Sequence, residues 1–382
     1  MDTHRPSLLV FSDDWGRHPS SCQHLISKLL GKYEVYWVNT IGMRPPTLDL
    51  STVRRAAEKL GHWVRRPVSQ EGPEVGPAPT VLNPRMWPWF RHSHDRWLNR
   101  RLLSRQLNRS LKQVARPLIG ITTVPIVADI MDELDVDKWI YYCVDDFGKW
   151  PGLDQHAMEL MEEVVIGKAD RCIAASEVLQ QRLAARNRST ALLTHGVDLG
   201  HWIDSTAPGE PASGHSVATF WGLVDRRLDL NMVTVLNDRF VDGKLRLVGP
   251  QDHPAPELAR LPRVELLPPV SYQELPQVAA QSHVLVMPYA DLPVTRAMQP
   301  LKLLEYLATD RPVVARDLPA TLPWRDCMDL VSSPEDFASL VIERVATGLP
   351  DSQRQARLER LRNSDWVVKA NQFESLVVDG EL

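Results

Sequence analysis

Residues 298–315, which read MQPLKLLEYLATDRPVVA, decide the fold because they join a short helix to a buried strand. The helix is predicted to begin at Pro300, since proline at a first helical turn lacks only an N–H that would be unpaired there anyway. The helix carries Lys302 and Glu305 three residues apart, so both side chains lie on one face. Pro312 to Ala315 then form an apolar, β-branched run, which indicates a strand covered on both sides.

The same alternation of helix and strand extends in both directions from this stretch. Short apolar runs typical of buried parallel strands occur at Ser7 to Ser12, Glu34 to Asn39, Ile126 to Ile130, Trp139 to Val144, Arg171 to Ser176, Ala191 to Thr194, Val217 to Trp221, Leu245 to Val248, Val264 to Leu267 and Val284 to Met287. Helical patterns separate several of them, as at Ser20 to Leu30 and His156 to Lys168. This order predicts an α/β protein with doubly wound sheets.

The alternation is interrupted at residues 205–214, STAPGEPASG, which are too rich in Pro, Gly and small residues for a helix or strand. We therefore predict two Rossmann-like domains, residues 1–204 and 215–350, facing a central cleft of the kind in which open α/β sheets bind ligands. Residues 45–109 contain few strand candidates and many Arg, Trp and Pro residues, which indicates an elaboration on the first domain. Residues 351–382 are helical in pattern and could cross back to that domain.

Composition agrees with a folded protein of two domains. The 382 residues exceed what one hydrophobic core usually organises, and the formal net charge of -4 gives no electrostatic case for nucleic acid. The four scattered cysteines have the spacing of neither a zinc site nor a disulfide framework, so a reducing compartment is expected. No apolar run is long enough for a signal peptide or a membrane span, which favours a cytoplasmic protein.

The stretch at 298–315 resembles the donor-binding helix of GT-B glycosyltransferases, in which a helix with Lys and Glu is followed by a turn and PVVA. The resemblance implies that Glu305 accepts hydrogen bonds from the donor ribose, and that Lys302 and the helix start at Pro300 hold the diphosphate. Without the resemblance, Lys302 and Glu305 would be expected to form only a weak surface pair. Retaining family 4 members usually carry a second Glu eight residues earlier, where this chain has Ala297.

Residues 219–229, TFWGLVDRRLD, are similar to the first strand and loop of GT-B donor domains. In this resemblance Gly222 allows the backbone to approach phosphate closely, and Arg226 and Arg227 neutralise its charge. Two arginines in a loop are more often simply solvated, so this signal depends on its place at the start of the second domain.

Two later segments of the second domain are candidates for the nucleotide itself. Gly249 follows the run at Leu245 to Val248 in a comparable strand-end turn, and it could border the nucleotide. Val270 and Tyr272, in the segment PPVSYQEL, resemble the base-proximal loop of the family. Among nucleotide sugars, a UDP-sugar is the favoured donor.

Residues 141–150, YYCVDDFGKW, place Asp145 and Asp146 just past the carboxyl end of a predicted strand. A carboxylate there can deprotonate an acceptor hydroxyl, as an inverting transferase requires, or it can cap the following helix. Similarity to the membrane-associated glucuronosyltransferase of xanthan assembly favours Asp146 over Asp145 as the base. His195, in the turn THGVD at 194–198, is a secondary catalytic candidate, because a lone histidine is more often structural.

The loop after the first strand, residues 12–24, reads SDDWGRHPSSCQH. In GT-B enzymes this loop lies beside the acceptor and the transferred sugar, which implies Arg17 and His18 as acceptor-side residues, although a polar loop without function would look similar. The sequence contains neither GxGxxG nor a Walker loop, which argues against a nicotinamide enzyme or an ATPase. The paired aspartates are adjacent rather than spaced as DxD, so we expect neither a metal nor another cofactor to be required beyond the sugar nucleotide.

Tryptophan and arginine are interleaved in the predicted elaboration. The cluster comprises Trp63, Arg65, Arg66, Arg85, Trp87, Trp89, Phe90, Arg91, Trp97, Arg100 and Arg101. Tryptophan favours the bilayer interface and arginine attracts anionic head groups, so this cluster could dock the protein peripherally on a membrane. Tryptophans that pack on the first domain would give the same sequence pattern, and RNA binding is disfavoured by the net negative chain.

These features together predict transfer of a sugar from a nucleotide-diphospho-sugar to a hydroxyl of a glycan or lipid-linked saccharide, as in polysaccharide or glycoconjugate synthesis. Three alternatives stay open. The chain could be a retaining family 4 transferase without the usual first Glu, a non-catalytic GT-B protein that binds a sugar nucleotide or glycan, or a GT-B epimerase.

Overall fold

The computed structural model describes residues 5–16, 20–39, 77–87, 89–186, 190–205 and 214–379. The described residues form two parallel β-sheets with helices between their strands. One sheet has seven strands in the order β3-β2-β1-β4-β5-β6-β7, and the other has six in the order β10-β9-β8-β11-β12-β13. The predicted α/β class with two Rossmann-like sheets is therefore confirmed.

The strands are short, and most are buried. They are β1 (Ser7–Ser12), β2 (Val35–Asn39), β3 (Thr80–Leu82), β4 (Leu118–Thr122), β5 (Lys138–Cys143), β6 (Arg171–Ala174), β7 (Thr190–Leu192), β8 (Ser216–Trp221), β9 (Gly243–Val248), β10 (Val264–Leu267), β11 (Val284–Met287), β12 (Val313–Arg316) and β13 (Asp329–Val331). Central strands such as β1 and β11 are buried at every position, because helices cover both faces of a parallel sheet.

The helices connect these strands or follow the last of them. They are α1 (Ser21–Ser27), α2 (Ser93–Ser110), α3 (Gln155–Lys168), α4 (Glu177–Ala184), α5 (Leu199–Ser205), α6 (Leu230–Arg239), α7 (Leu275–Ala280), α8 (Pro293–Ala297), α9 (Leu301–Ala308), α10 (Pro334–Thr347), α11 (Asp351–Leu361) and α12 (Trp366–Glu374). Several begin at a side-chain cap; Asp154, Ser176 and Ser333, for example, each accept a backbone N–H of the first turn.

One predicted strand is wrong. Ile126 to Ile130 do not form a strand, because Pro125–Asp129 fold into a 3-10 helix whose first residue is proline, a favourable start for a helical turn. The strand between β1 and β5 is instead β4, which is completely buried and pairs with Ser7 to Phe11 of β1. Gly120 weakens the strand pattern of β4 in the sequence. It is needed there because a Cβ would lie 2.5 Å from the Trp139 ring.

The described chain divides into two compact units that interleave in sequence. One comprises residues 1–17, 29–141 and 147–171, and the other comprises 18–28, 142–146 and 172–382. The predicted boundary at 205–214 lies mostly outside the described residues, so the ranges 1–204, 215–350 and 351–382 stay predictions. The predicted helical character of the C-terminal stretch is confirmed by α11 and α12.

The second unit contains the C-terminal helix together with α1 and the end of β5. Trp366 of α12 stacks on His24 of α1, with ring centroids 4.7 Å apart and planes within 8°. Phe373 of the same helix lies against Tyr142 at the end of β5, at 5.6 Å between centroids. Residues from the two ends of the chain thus share one core.

Arg357 of α11 fixes the end of α9. Arg357 is 3% exposed, and its guanidinium donates to the carbonyls of Cys327, Thr309 and Arg311 at 2.8, 3.1 and 2.8 Å. Burial lowers the pKa of Arg357 to about 10, so the side chain still carries its charge at neutral pH. The C-terminal helices therefore support the element that carries Lys302 and Glu305.

Candidate functional site

Two glycine turns meet where β8 and β9 end. Gly222 and Gly249 have φ angles of 130° and 148°, which side chains rarely tolerate. A Cβ on Gly249 would lie 2.1 Å from the Gly222 carbonyl oxygen, and a Cβ on Gly222 would lie 2.0 Å from the Lys302 ammonium. The absence of side chains at both positions lets the two turns and the lysine occupy one small space.

Lys302 lies in the first turn of α9 and is held from two sides. Its Nζ donates to the Tyr289 hydroxyl at 2.9 Å and lies 4.0 Å from the centroid of the Phe220 ring. The cation is therefore fixed at the glycine turns rather than extended into solvent. Pro300 precedes the helix and is buried, and the positive dipole end of α9 lies beside the same cation.

Glu305 lies one turn later on the same helix and contacts the residue next to Gly222. Its Oε2 accepts the indole N–H of Trp221 at 3.1 Å. Burial raises the pKa of the Glu305 carboxyl, while the Trp221 hydrogen bond and the charge of Lys302 act in the opposite direction. Both polar residues predicted on this helix thus lie at the carboxyl end of β8, Lys302 beside Gly222 and Glu305 against Trp221.

Trp221 was not among the residues identified from the sequence. It ends β8, is 3% exposed, and donates its backbone N–H to the Tyr306 hydroxyl at 2.9 Å. Its ring lies parallel to Trp202, with centroids 5.6 Å apart and planes within 6°. Its position directly before the predicted phosphate glycine was the one available signal, but its partner is 84 residues away.

Tyr272, the predicted base-proximal residue, joins this aromatic group. Its hydroxyl accepts the Trp202 indole N–H at 3.1 Å, and its ring stacks on His201 with centroids 4.5 Å apart. Burial and the charge of Glu305 raise the pKa of Tyr272. The predicted ribose and base residues therefore belong to one connected set of side chains.

The two predicted phosphate arginines differ in environment. Arg226 is exposed, whereas Arg227 is buried and its Nε contacts both carboxylate oxygens of Asp225 at 2.9 and 3.0 Å. The other end of Arg227 points towards Met298, with Nη1 3.9 Å from the sulfur. Arg226 is thus the more available of the pair for an anionic ligand, and Arg227 is committed to a buried ion pair.

Asp145 and Asp146, adjacent in sequence, also differ. Burial raises the pKa of Asp145 to about 7, with Arg227 opposing the shift and the charge of Asp146 adding to it. Asp146 is 9% exposed, and one of its oxygens lies 3.7 Å from Nη1 of Arg182. The two carboxylates thus differ in their surroundings, since the pKa of Asp145 is raised and Asp146 faces a cation, and both stay candidates for a general base.

His195 is a buried, neutral imidazole. It is 5% exposed, and burial lowers its pKa to about 3, helped by the nearby charges of His24 and Lys369. Lys369 of α12 is itself held by Thr194, with Nζ 3.0 Å from the hydroxyl oxygen. The candidates Arg17 and His18 lie outside the described residues, as do Trp63, Arg65 and Arg66.

The described tryptophans of the Trp/Arg cluster are exposed. Trp87 and Trp89 are each 39% exposed and Trp97 is 54% exposed, and the first two rings lie 4.8 Å apart. Trp97 shares one stripe of α2 with Arg101 and Arg105, and the Arg101 guanidinium lies 4.6 Å over the Trp97 ring. Phe90 is buried, so this cluster has an internal anchor and an external aromatic face.

The described residues contain neither a metal-binding cluster nor a helix suited to span a membrane. No group of three or more His, Cys, Asp or Glu side chains is arranged to hold a metal ion within the ranges that the structure describes. None of the described helices combines the length and the apolar character that crossing a bilayer would require.

Part of the chain matches a protein-family model. Residues 230–346, from α6 to the end of α10, match the model of the family described as Glycosyl transferases group 1. This range includes Lys302, Glu305 and Tyr272, whereas Trp221 and Gly222 precede it.

A curated relative and two solved structures are similar to the chain. The putative teichuronic acid biosynthesis glycosyltransferase TuaH of Bacillus subtilis (strain 168) is 25% identical over 218 residues, which cover 53% of this chain and 55% of the relative. The match thus spans about half the length of that relative. Anabaena Alr3699/HepE in complex with UDP-glucose superposes with a TM-score of 0.69 at 12% identity, covering 98% of this chain and 100% of the other. The alpha,alpha-trehalose 6-phosphate synthase of Burkholderia multivorans superposes with a TM-score of 0.65 at 13% identity, covering 99% and 97%.

Proposed function

We propose that this chain, a protein of the GT-B fold with a glycosyl transferases group 1 segment, moves a sugar from a nucleoside-diphospho-sugar to a hydroxyl of an acceptor. The fold is shared with the solved structures over nearly the whole chain, so the resemblance to GT-B proteins predicted from the sequence is confirmed. One observation carries the proposal. Lys302 and Glu305 of α9 both meet the end of β8, the lysine at Gly222 and the glutamate at Trp221.

The donor is proposed to bind at this end of the six-stranded sheet. Lys302 and the first turn of α9 would hold the diphosphate beside the turns at Gly222 and Gly249, because a fixed cation and the positive end of a helix favour a doubly charged anion. Glu305 would accept the ribose hydroxyls. Because similar solved structures contain UDP or UDP-glucose, we propose a UDP-sugar, with Tyr272 near the base and Arg226 near the phosphates.

A thermal-shift titration tests the donor site. UDP and UDP-sugars are expected to raise the melting temperature with increasing concentration, because a ligand that binds only the native state stabilises it by mass action. GDP, ADP and TDP with their sugars serve as matched controls for the base. If none of the four nucleotides changed the melting temperature at millimolar concentration, the proposed donor site would be refuted.

Asp146, favoured by the sequence resemblance, or its neighbour Asp145 is proposed as the base that accepts the acceptor proton. The raised pKa of Asp145 supports Asp145, and the paired Asn variants at the two positions distinguish it from Asp146, which lies 3.7 Å from Arg182. His195, neutral and buried, is proposed to border the site without exchanging protons. Lys302 and the helix dipole would stabilise the departing diphosphate, so the proposed reaction requires no metal.

Product stereochemistry distinguishes the main alternative, a retaining transferase. The position at which retaining relatives usually carry a second Glu holds Ala297, which is 3% exposed and whose carbonyl accepts the Ser176 hydroxyl at 2.7 Å. Inversion at the anomeric carbon, observed by NMR of the product, would support a base at Asp145; retention would remove that role. Donor binding without transfer to any acceptor would favour the non-catalytic alternative.

The acceptor is proposed to be a glycan or a lipid-linked saccharide. The similar Bacillus subtilis protein is described as acting in teichuronic acid biosynthesis, which is polysaccharide synthesis. We propose residues 1–204 as the acceptor domain, 215–350 as the donor domain and 351–382 as a helical segment that packs back on the first. A panel of saccharide acceptors with a radiolabelled UDP-sugar would measure the preference directly.

Peripheral attachment to an anionic membrane, at its cytoplasmic face, is part of this proposal. The Trp/Arg surface, defined here as Trp87, Trp89, Trp97 and Arg101, combines exposed indoles with a cation, which suits the interface of an acidic bilayer. A lipid-linked acceptor would be presented at the same surface.

Liposome cosedimentation tests this attachment. We expect binding to require phosphatidylglycerol, and the partition constant to fall about thirtyfold or more when Trp87 and Trp89 are both replaced by Ala, since each buried indole contributes on the order of 1–2 kcal/mol. Leu358→Ala, a change at a residue that is 58% exposed on α11, is the control. Equal binding by the double variant and the unmodified chain would exclude the surface as the membrane contact.

A further inference from the structure

We propose that Trp221 positions Glu305 for the ribose by holding one carboxylate oxygen and leaving the other free to accept ribose hydroxyls. This inference rests on the proposed function. It assigns to Trp221 a role that follows from its contacts, since the sequence pattern pointed only to the glycine after it. Trp221 is a positioning residue in this scheme, because it acts on the donor through Glu305.

The hydrogen bonding of Glu305 carries the first step. Its Oε2 accepts the Trp221 indole N–H at 3.1 Å, and within the described part of the chain no other group donates to this carboxylate. Ribose has two neighbouring hydroxyls that can each donate a hydrogen bond, so a carboxylate oriented through one oxygen retains the acceptor capacity that the sugar needs. Rotation of the carboxylate away from that orientation would break the Trp221 bond.

The rigidity of Trp221 carries the second step. Its backbone N–H is bonded to the Tyr306 hydroxyl, its ring meets the Tyr306 ring edge-on at a centroid distance of 4.1 Å, and it also stacks on Trp202. A side chain that is 3% exposed and held between two aromatic neighbours cannot swing away. The indole N–H is therefore a fixed donor, which orients a carboxylate at a lower entropic cost than a flexible side chain would.

The chemistry of the indole carries the third step. Indole N–H only donates, so it can bond to the carboxylate but cannot compete with it for the ribose hydroxyl protons. It also favours the ionised form of Glu305, which is the form that accepts from both hydroxyls. A tyrosine or serine hydroxyl at the same place could accept as well as donate and would not impose this direction.

Trp221→Phe is the direct test, since it keeps an aromatic ring between Trp202 and Tyr306 but removes the N–H. The dissociation constants of UDP and of 2′-deoxy-UDP are measured by calorimetry for the unmodified chain, for Trp221→Phe, and for Trp324→Phe as a matched indole-to-phenyl control outside the site. We expect Trp221→Phe to weaken UDP binding roughly tenfold, as expected for a lost hydrogen bond to a charged group, and 2′-deoxy-UDP binding by clearly less. Trp324→Phe should leave both within about twofold.

A double-variant cycle with Glu305→Gln separates positioning from general packing. If Trp221 acts through Glu305, adding Trp221→Phe to Glu305→Gln should cost no more than about a further twofold in UDP affinity, because coupled residues are not additive. Full additivity, or equal losses for UDP and 2′-deoxy-UDP, would overturn the inference. So would unchanged UDP affinity in Trp221→Phe.

Two outcomes of the UDP titration distinguish failure of the inference from failure of the proposed function. If the unmodified chain bound no UDP, the proposed donor site would fail, whereas UDP binding that is unaffected by Trp221→Phe would overturn the positioning role alone.

A second substitution covers the case in which Trp221→Phe melts at a much lower temperature. Replacement of Trp221 by 3-benzothienylalanine removes the N–H with the two-ring shape retained. The same loss of ribose discrimination is expected for that variant, and its absence would again overturn the inference.

Discussion

The carboxyl ends of two central strands, β8 in the six-stranded sheet and β5 in the seven-stranded sheet, offer opposite chemistry. After β8 the chain provides glycines, the fixed ammonium of Lys302 and the start of α9, a combination that favours an anion. After β5 it provides Asp145 and Asp146, of which the first has a pKa of about 7. In the proposed reaction, the first strand end would hold the leaving diphosphate and the second would supply the base for the attacking hydroxyl, although both belong to parallel sheets of the same kind.

The largest expected effect tests the β5 end. Asp145→Asn should lower kcat of sugar transfer by about 10²–10⁴-fold, the usual contribution of a general base, while UDP affinity stays within about twofold. Steady-state kinetics and calorimetry on the same preparation would check both numbers.

Asp146→Asn is the matched neighbour variant. We expect a loss of about tenfold or less, since its carboxylate faces Arg182 and its removal changes the site indirectly. A larger loss in Asp146→Asn than in Asp145→Asn would exchange the roles of the two aspartates and restore the assignment favoured by the sequence similarity.

The next largest expected effect tests the end of β8. Lys302→Met keeps much of the packing against Phe220 but removes the cation, so UDP affinity should fall about 10–100-fold, as for a lost charge-assisted hydrogen bond. Lys244→Met on β9, where the lysine pairs with Glu265, is the control. If the two lysine variants bound UDP equally well, the β8 end would not be the anion site and the contrast between the strand ends would be lost.

The smallest expected effect is on stability and concerns pH. The pKa of Asp145 is raised from 3.8 in the unfolded chain to about 7 in the folded one. The folded state therefore holds the proton more tightly, and the stability that this gives at low pH is lost as pH rises through 7, because the ionised carboxylate is destabilised by burial. Asp145→Asn should therefore melt higher than the unmodified chain at pH 8, by a few degrees, and at the same temperature at pH 4. A lower melting temperature of the variant at pH 8 would mean that Asp145 stabilises the fold in its ionised form.

Much of the fold could be predicted because buried parallel strands appear in the sequence as local apolar runs. β1 and β10 were predicted with their observed bounds, and the helix after Pro300 was also identified correctly, since these signals lie within a few neighbouring residues. β4 was missed because Gly120, which interrupts its pattern, is explained only by the Trp139 ring that covers it. A local pattern cannot reveal a residue that is required by a distant neighbour.

The sequence by itself determined the two α/β sheets and the residue types at their strand ends. Tertiary structure alone decided the surroundings of those residues: Trp221 reaches Glu305 from 84 positions away, the pKa of Asp145 is raised to about 7, and Asp146 lies 3.7 Å from Arg182. The physical reason is that apolar periodicity is a property of adjacent residues, whereas a hydrogen bond or a pKa depends on groups that folding brings together from distant parts of the chain.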